Sequence, residues 1–377
     1  MAFDDSLISF KNNTCPSGNQ LTFWTDCINL FLLLNQSLIT LRTVPFKNNA
    51  NAVYAYRAML QVQTKPNHPM NSINRRDFMG ILGSSIGSLA LMSNARALST
   101  PSHSPIVDAH LHCFDGPDSQ VFPYHPLGPY RPASVATPEQ LLTCMDGAGV
   151  RQAIVVHPEP YQDDHRYLDH CLEVGGGRLK GTCLFFADRP DSLAAMPSFL
   201  KNREGQVVAS RVHAYASDRL PPFGKPELRQ WWRSVADAGV AVQLHFEPRY
   251  ALGFEPYIRE FADTTVIIDH LGRPFQGTPE EHKRVIRWAE FPNTVMKLAA
   301  IPAPETYPHQ QIGPVIRQLT DAWGPERLIY GGGFNENATP DSYLRYRQDL
   351  LEYLSHLSSQ EQAAILGGTA SKLFGWS

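Results

Sequence analysis

The sequence predicts an α/β fold, a single (β/α)8 TIM barrel, over residues 98–377. Short apolar runs alternate with helical segments that begin at capping residues and end at glycine, as expected for parallel βα units. The region holds roughly 280 residues, and one such barrel needs about 250. Histidines and charged residues recur where the apolar runs end, which is where a barrel collects its functional groups.

The apolar runs predict eight strands, at residues 106–110, 152–156, 181–186, 207–213, 241–245, 265–269, 294–298 and 328–330. Two of the intervening helices begin with clear capping sequences, Thr137-Pro138-Glu139-Gln140 and Thr278-Pro279-Glu280-Glu281. In each sequence the threonine caps the helix, proline occupies the first turn and the fourth residue completes a capping box. Gly149 and Gly239 end two helices, since glycine accepts the left-handed conformation of a helix terminus.

Residues 1–69 differ from the rest of the chain, because they contain no glutamate and show no strand or helix pattern. Residues 70–97 carry Arg75-Arg76-Asp77-Phe78, an apolar run from Ile81 to Met92, and Ala95-Arg96-Ala97. These three parts resemble a twin-arginine (Tat) signal peptide. The alternative is an arginine pair that caps a buried helix. We therefore expect export to the bacterial periplasm, with the Tat translocase as a transient partner, and an upstream segment 1–69 that is either a misplaced start or a disordered leader.

Composition narrows the function classes. The formal net charge is −3, so no basic excess indicates nucleic-acid binding. The most apolar stretch, Phe23 to Leu41, is broken by Asp26 and several amides, which does not suit a membrane-spanning helix. The six cysteines lack C-x-x-C spacing and predict neither a zinc ribbon nor a disulfide framework. The expected partner is a small-molecule substrate.

The first barrel strand ends in a His-x-His pair. Alternation along a strand places His110 and His112 on one face, where two imidazoles can chelate one divalent metal. Two polar residues at the edge of a loop are the alternative. Later strand ends supply more polar groups: His157 and Glu159, Arg211 and His213, His245, Asp269 with His270 and Arg273, and Lys297. Their recurrence predicts a functional rim. Alternatively, Arg211 and Lys297 form ion pairs inside the barrel, and Asp269 holds a neighbouring backbone group or orients a histidine.

Three segments carry a family resemblance: Val107-Asp108-Ala109-His110-Leu111-His112, Ile267-Ile268-Asp269-His270-Leu271-Gly272-Arg273-Pro274, and Ile365-Leu366-Gly367-Gly368. Together they resemble the amidohydrolase-related (amidohydrolase 2) family of metal-dependent hydrolases. The loop Gly128-Pro129-Tyr130-Arg131-Pro132, and Tyr161 with Asp163-Asp164, are most similar to the branch of sugar-lactone and pyrone-dicarboxylate lactonases. The resemblance covers the whole of residues 98–377, and its motifs are more specific for the superfamily than for a substrate.

The resemblance implies site residues. Zinc or manganese would be held by His110, His112 and His245, although some lactonases of this branch work without metal. His270 would orient water or substrate, with Asp269 and Glu159 as further catalytic candidates. The candidates for substrate binding are Arg211, Arg273, Tyr130, His157 and Tyr161. An arginine fork suits a substrate carboxylate.

One position departs from the family pattern. The family ends strand eight with an aspartate that binds metal or takes a proton from water, and here that position is Gly333. Glycine offers no side chain, so we expect a gap there and weak or absent metal binding. Glu159, Asp269, Asn335 or Glu336 would have to substitute. The sequence thus predicts a hydrolase of a small lactone or related carbonyl compound, with a metal-assisted decarboxylase and a non-catalytic binding barrel as the alternatives.

Overall fold

The structure is a computed structural model that describes residues 30–34, 37–46, 55–63, 104–301 and 311–376. The chain divides into two units, Met1–Leu98 and Ser99–Ser377. The first contains an antiparallel sheet in the order β1 (Leu30–Leu34), β2 (Ser37–Phe46), β3 (Ala55–Gln63). The sequence pattern predicts no strand in this segment, and the sheet corrects that prediction. Strand β2 is rich in β-branched and apolar residues, which favour a strand even though asparagine-rich segments flank it. The proposed signal, residues 70–97, lies outside the described residues.

The second unit contains eight parallel strands that follow one another in chain order, which confirms the barrel fold. They are β4 (Val107–Leu111), β5 (Gln152–Val156), β6 (Leu179–Leu184), β7 (Val207–Ala214), β8 (Ala241–Phe246), β9 (Val266–Ile268), β10 (Thr294–Leu298) and β11 (Leu328–Tyr330). Each agrees with its predicted strand to within about two residues at either end, the usual uncertainty of an element boundary.

Helices separate the strands and form the outer layer. They are α1 (Pro138–Ala148), α2 (Arg166–Gly175), α3 (Pro190–Asn202), α4 (Pro226–Asp237), α5 (Ala251–Glu260), α6 (Pro279–Arg287), α7 (Ile312–Trp323), α8 (Pro340–Tyr353), α9 (Ser359–Ala363) and α10 (Thr369–Leu373), the last preceded by a π-turn at Ala364–Gly368. Thr137 caps its helix, but the predicted capping box is absent, because Gln140 Nε2 donates to the carbonyls of Glu336 and Ala338 instead. The capping box of Thr278 with Glu281 is present. Among the described helices, none has the length and apolar character needed to cross a membrane.

The barrel interior changes character from bottom to top. Near the amino ends of the strands, inward side chains form an apolar floor made of Val107, Ala109, Ile154, Ala209, Ala241, Ile267, Val295 and Ile329, with others. Above that floor the buried inward residues become polar, with Arg211, Gln243, Asp269 and Lys297 all at most 3% exposed. Polar groups therefore accumulate toward the carboxyl rim.

A β-bulge in β4 aims its two histidines. Asp108 pairs with Ala153 and Leu111 with Val155, so three steps along β4 match two steps along β5. A bulge of this kind changes which residues face inward. Val107 and Ala109 face the floor, whereas beyond the bulge Leu111 packs in the outer core. His110 and His112 are thereby turned toward the barrel mouth.

The seam between β4 and β11 is closed by a side chain. Within the described residues these two strands share no backbone ladder. Instead Asp108 Oδ1 accepts hydrogen bonds from the backbone N–H of Gly332 (2.8 Å) and of His110 (2.8 Å), and its Oδ2 accepts one from the Tyr343 hydroxyl (2.5 Å). The strands come so close that a Cβ at Gly331 would lie 2.7 Å from the His110 nitrogen.

Candidate active site

Five imidazoles form a continuous row across the barrel mouth, in the order His112, His110, His270, His245, His213. Neighbouring ring centroids lie 5.2, 4.4, 5.1 and 5.1 Å apart. The structure thus brings together His110, His112, His245 and His270 and adds His213. We call these five residues the histidine row.

The row presents ring nitrogens that no described protein group satisfies. His110 Nε2, His270 Nδ1, His245 Nδ1 and both nitrogens of His213 are buried without a hydrogen-bond partner. His112 differs, because its Nδ1 donates to the Val156 carbonyl at 2.6 Å. Buried polar atoms in proteins are normally paired. So many unpaired nitrogens in one row indicate a surface built to contact a ligand.

All five imidazoles are neutral near pH 7. Burial is the largest cause, and it lowers the pKa of His112 and His270 to about 3. Burial also holds the pKa of His110, His213 and His245 well below the ordinary histidine value. The nearby Arg211 charge lowers four of the five further, His110 excepted. A neutral imidazole can donate one hydrogen bond and accept another.

Asp269 lies beneath the row and anchors two buried cations. It accepts hydrogen bonds from Arg211 Nε (2.9 Å) and Gln243 Nε2 (2.9 Å), and the Lys297 ammonium lies 3.1 Å from its Oδ1. Burial alone would raise the pKa of Asp269, but Lys297 and Arg211 hold it well below its usual range. A carboxylate so strongly paired is a poor proton acceptor. Arg211 donates its hydrogen bonds to Asp269 and His270 inside the barrel, which agrees with the alternative that this arginine forms a buried ion pair.

The two cations fix the tautomers of the histidines above them. Lys297 Nζ lies 3.3 Å from His110 Nδ1, and because an ammonium can only donate, this nitrogen accepts and the proton lies on Nε2. Asp269 Oδ1 is 3.4 Å from the same nitrogen and would demand the opposite tautomer. We favour the lysine contact because Asp269 Oδ1 already lies 3.1 Å from the Lys297 ammonium, which can only donate. Arg211 likewise donates to His270 Nε2 (3.4 Å), which leaves the proton on Nδ1.

Metal-binding groups are present, but their protons and charges do not suit a metal. The ligand atoms of His110, Asp269 and His270 lie within 4.8 Å of one another. However, the Asp269 carboxylate is paired with Lys297 and Arg211, and the unpaired nitrogens of His110 and His270 carry protons. A metal needs lone pairs and gains from an anionic ligand. In this arrangement His110, Asp269 and His270 as a group do not fit a divalent cation; the ligand set His110, His112 and His245 stays a prediction.

Gly333 does not leave the gap that the sequence analysis expected. A Cβ at this position would lie 2.9 Å from Tyr346 Cβ, so the vector points at helix α8 rather than at the histidine row. The φ angles of Gly332 and Gly333 are +109° and +99°, which L side chains rarely adopt. The tyrosine therefore fills the space beside the glycine, and the backbone there excludes a side chain.

Glu159 stands at the far end of the row. The Tyr215 hydroxyl donates to its Oε2, Arg219 NH1 lies 3.4 Å from its Oε1, and His213 Nε2 is 3.9 Å from Oε2. The Tyr215 ring is in turn 5.1 Å from that of His245. An adjoining cavity of about 150 Å³ is lined by Glu159, His213 and Arg219, among others. Glu159 is thus a buried carboxylate with access to both the row and a space for water.

Two other predicted residues approach the mouth. Tyr130, in the loop after β4, is 45% exposed as a residue. Burial raises the pKa of the Tyr130 hydroxyl to about 12. The charge of Arg211 lowers this pKa and that of Glu159 raises it. The Arg273 guanidinium lies 5.7 Å from the centre of the Tyr215 ring. With His245 and His270 it lines a second cavity, of about 230 Å³.

His157 and Tyr161 are not brought to the row. Val156 faces the barrel interior, so the next residue, His157, points outward, where its Nε2 donates to the Gln162 carbonyl at 2.9 Å. The Tyr161 hydroxyl accepts from the backbone N–H of Asp115 at 2.9 Å. Both residues are 1% exposed within an aromatic cluster that includes His165 and Tyr124. Their positions support the fold rather than a contact with substrate.

A left-handed turn follows β9. The φ angles of His270, Leu271, Gly272 and Arg273 are +54°, +61°, +69° and +52°. Each non-glycine residue in this region costs roughly 1–2 kcal/mol. The other two described non-glycine residues with positive φ, Gln162 and Ala300, also follow barrel strands. Such strain persists where surrounding structure enforces it, commonly at functional sites.

The main cavity has a volume of about 670 Å³, which suits a small organic ligand. It is lined by His110, His112, His270, Ala300, Gly332 and Phe334, among others. Tyr215 and Gln243 are not among the site residues predicted from the sequence. Alternation could have found both, since Tyr215 lies two residues beyond His213 and Gln243 two residues before His245.

The comparison with known proteins agrees with this geometry. The family profile described as Amidohydrolase matches residues 107–376. The chain belongs to the amidohydrolase family. It is 25% identical over 284 residues to the 4-sulfomuconolactone hydrolase of Rhizobium radiobacter, covering 71% of this chain and 89% of that protein. It is 26% identical over 214 residues to the L-fucono-1,5-lactonase of Burkholderia ambifaria, covering 52% and 68%.

A solved structure shows the same fold. A probable 2-pyrone-4,6-dicarboxylic acid hydrolase from Acinetobacter baumannii, with citric acid bound, superposes with a TM-score of 0.59 at 18% identity. The match covers 72% of this chain and 99% of that one. The part of the chain after residue 98 therefore corresponds to the whole of a barrel of this kind.

Proposed function

We propose that the protein hydrolyses a small lactone, or a closely related carbonyl compound, by water attack on a carbonyl that the histidine row polarises. The observation that carries this proposal is the row itself: neutral imidazoles that line adjoining cavities and carry unpaired nitrogens, supported by two buried cations. The relatives named as lactone hydrolases support the same reaction class.

The electrophilic half of the mechanism belongs to His110 and His270. Their Nε2–H and Nδ1–H can both donate to the carbonyl oxygen, which becomes negative as water adds. Donors fixed in a water-poor site stabilise such developing charge strongly. Lys297 and Arg211 add to this effect, because each lies directly behind one of the two donor rings. The row then acts as a preorganised oxyanion site.

The proton acceptor that we propose is His213, oriented by Glu159, whose carboxylate in contact with the ring would raise the lowered pKa of His213. Water forms a C–O bond to the carbonyl carbon while one proton passes to a His213 nitrogen. The ring C–O bond then breaks, and the leaving oxygen receives that proton, which gives a hydroxy acid. Glu159 would hold the other His213 nitrogen; their present separation of 3.9 Å is typical of catalytic contacts that tighten with substrate bound. This pair would replace the aspartate that Gly333 cannot supply.

A tightly bound metal is not required by this proposal. We propose that zinc or manganese binds weakly or not at all, because Asp269 is occupied by two cations and Gly333 offers no ligand. Metal analysis of the purified protein, and assay with and without a chelator, test this. We expect substoichiometric metal and an unchanged rate; a rate that chelation abolishes and zinc restores would contradict it.

The reaction itself is tested with a panel of lactones that includes sugar lactones and carboxylated or sulfonated lactones. We expect acid release from at least one. Carbon dioxide release from an aromatic acid would favour the decarboxylase alternative. Stabilisation by a ligand without turnover would favour a binding protein.

We also propose that the protein is exported to the periplasm through the Tat translocase. The support is the sequence of residues 70–97 alone. Replacing Arg75 and Arg76 by lysine should leave the protein in the cytoplasm, measured by fractionation of cells that express the full chain. Unchanged export of the double variant would show that another route carries it.

A further inference from the structure

The turn that carries His270 and Arg273 cannot hold its shape by local preference. Four successive residues adopt positive φ, and three of them are not glycine. Two internal hydrogen bonds exist, from Gly272 N–H to the Asp269 carbonyl (2.9 Å) and from Arg273 N–H to the His270 carbonyl (2.8 Å). Other contacts must therefore enforce this conformation.

Helix α6 supplies those contacts. His282 Nε2 lies 2.8 Å from the Leu271 carbonyl oxygen, and because a carbonyl only accepts, His282 donates. Val285, one turn further along α6, packs so closely that a Cβ at Gly272 would lie 2.7 Å from its Cγ1. His282 is 5% exposed, and the capping box of Thr278 and Glu281 fixes the beginning of its helix. The donor is thus rigid and shielded from water.

We propose that His282 is a positioning residue of the active site: by donating to the Leu271 carbonyl it holds the turn of residues 270–273, and through it the His270 ring and the Arg273 side chain. His282 touches neither substrate nor the histidine row. Its effect is transmitted through a backbone that would otherwise return to an ordinary conformation. This proposal rests on the function proposed above, in which His270 polarises the carbonyl.

Three substitutions separate positioning from stability. His282→Gln keeps an N–H donor where Nε2 stands, His282→Asn places its amide near Nδ1 and falls short, and His282→Leu has no donor. We expect kcat on a lactone substrate to fall about 10- to 100-fold for the leucine and asparagine variants, as for a displaced catalytic group. The glutamine variant should stay within about threefold of wild type, since its donor is restored.

The control is His165→Leu. His165 is also a buried histidine, and its Nε2 accepts from the Leu184 backbone N–H at 3.1 Å, remote from the turn. This variant should lose thermal stability comparably while kcat is unchanged. Equal loss of kcat in the glutamine and asparagine variants, or unchanged kcat in the leucine variant with only a lower Tm, would overturn the proposal.

Amide hydrogen exchange gives a readout that needs no substrate. Protection of the Gly272 and Arg273 amides should fall in the leucine and asparagine variants and persist in the glutamine variant and in His165→Leu. Wild-type inactivity on every lactone would count against the proposed function alone. The exchange data would still test whether His282 holds the turn of residues 270–273. Should the leucine variant not fold, the glutamine–asparagine pair decides.

Discussion

Two carboxylates adjoin the histidine row, Asp269 beneath it and Glu159 at its far end, and their surroundings differ. Asp269 meets two buried cations and an amide, all within 3.1 Å. Glu159 meets a tyrosine hydroxyl, an arginine that is partly exposed, and a neutral imidazole at 3.9 Å. The first carboxylate is saturated with positive charge and stays ionised. The second retains an unsaturated environment beside a cavity, which suits an exchange of protons.

The difference shows that a carboxylate at a barrel rim is not defined by its place in the motif. Asp269 directly precedes His270 in the motif and stands at the end of a strand, yet its function is to hold cations. Glu159 begins a short 3₁₀ turn after β5, yet it contacts the groups that can move a proton. Partners on other strands decide which function a carboxylate performs.

The largest effect should follow removal of the Asp269 charge. Asp269→Asn leaves Arg211 and Lys297 buried without an anion, and breaking such a pair costs about 3–5 kcal/mol. Denaturant unfolding should show a loss of that order, together with loss of lactone hydrolysis. The matched control is Asp146→Asn, whose partner Arg178 is at the surface, where an ion pair contributes at most about 1 kcal/mol. Equal stability losses would contradict the assignment of Asp269.

The pH dependence of stability sharpens the same point. The pKa of Asp269 is depressed in the folded protein. Its stabilisation is therefore complete above the unfolded value of about 4 and is lost as the pH falls below that value. The difference in unfolding free energy between wild type and Asp269→Asn should narrow from pH 5 downward. If this difference in unfolding free energy did not depend on pH, the Asp269 carboxylate would not be the source of the stabilisation.

The second effect concerns Glu159. Glu159→Gln preserves the shape but not the charge, so the free energy of unfolding should change little. We expect kcat to fall about 10²- to 10⁴-fold, the range for loss of general base assistance, with KM within a few-fold. His213→Gln should cost a similar factor, and the double variant little more, since the two residues act as a unit. Glu260→Gln, in the surface pair with Arg229, is the control. If the kcat losses of the two single variants added in the double variant, Glu159 and His213 would act independently.

The smallest effect should follow Gly333→Asp, the change that restores the family residue. Because φ is +99° and the Cβ would meet Tyr346, we expect no gain in rate or metal content. Stability should fall by roughly 1–2 kcal/mol from the left-handed backbone. Steady-state kinetics and thermal unfolding measure both. A rise in hydrolytic rate would mean that the aspartate can reach the row, and that Glu159 is not its replacement.

The sequence predicted the barrel well because each strand is buried on both faces and reads as an apolar run. It also predicted the polar residues at the carboxyl rim, because the end of each apolar run marks the end of a strand. It could not predict which residues turn inward. Strict alternation from Val107 would send His110 outward, and only the bulge, which depends on the residues that β5 presents, reverses this. His157 shows the opposite case, since alternation from the inward Val156 would have excluded it.

Pairings between strands were equally beyond the sequence. Ion pairs were an alternative for Arg211 and Lys297, but their common partner Asp269 stands on a third strand, and no local pattern joins the three residues. His282 went unnoticed because its partner is a backbone carbonyl eleven residues away, which has no signature in side-chain spacing. The sequence shows glycine at position 333 where the family has aspartate. That Tyr346 fills the space beside this glycine follows only from the three-dimensional structure.

The seam between the first and last barrel strands has a consequence for the order of assembly. Neighbouring βα units meet through short stretches of chain, whereas Asp108 and Gly332 are separated by 224 residues. Contacts between such distant residues are slow to form, because a long loop must close before they give any stabilisation. The barrel should therefore grow as an open, curling strip and become a ring late. The His-x-His pair and the glycine segment stand on the two margins of that strip, so the catalytic pocket is complete only when the ring has shut.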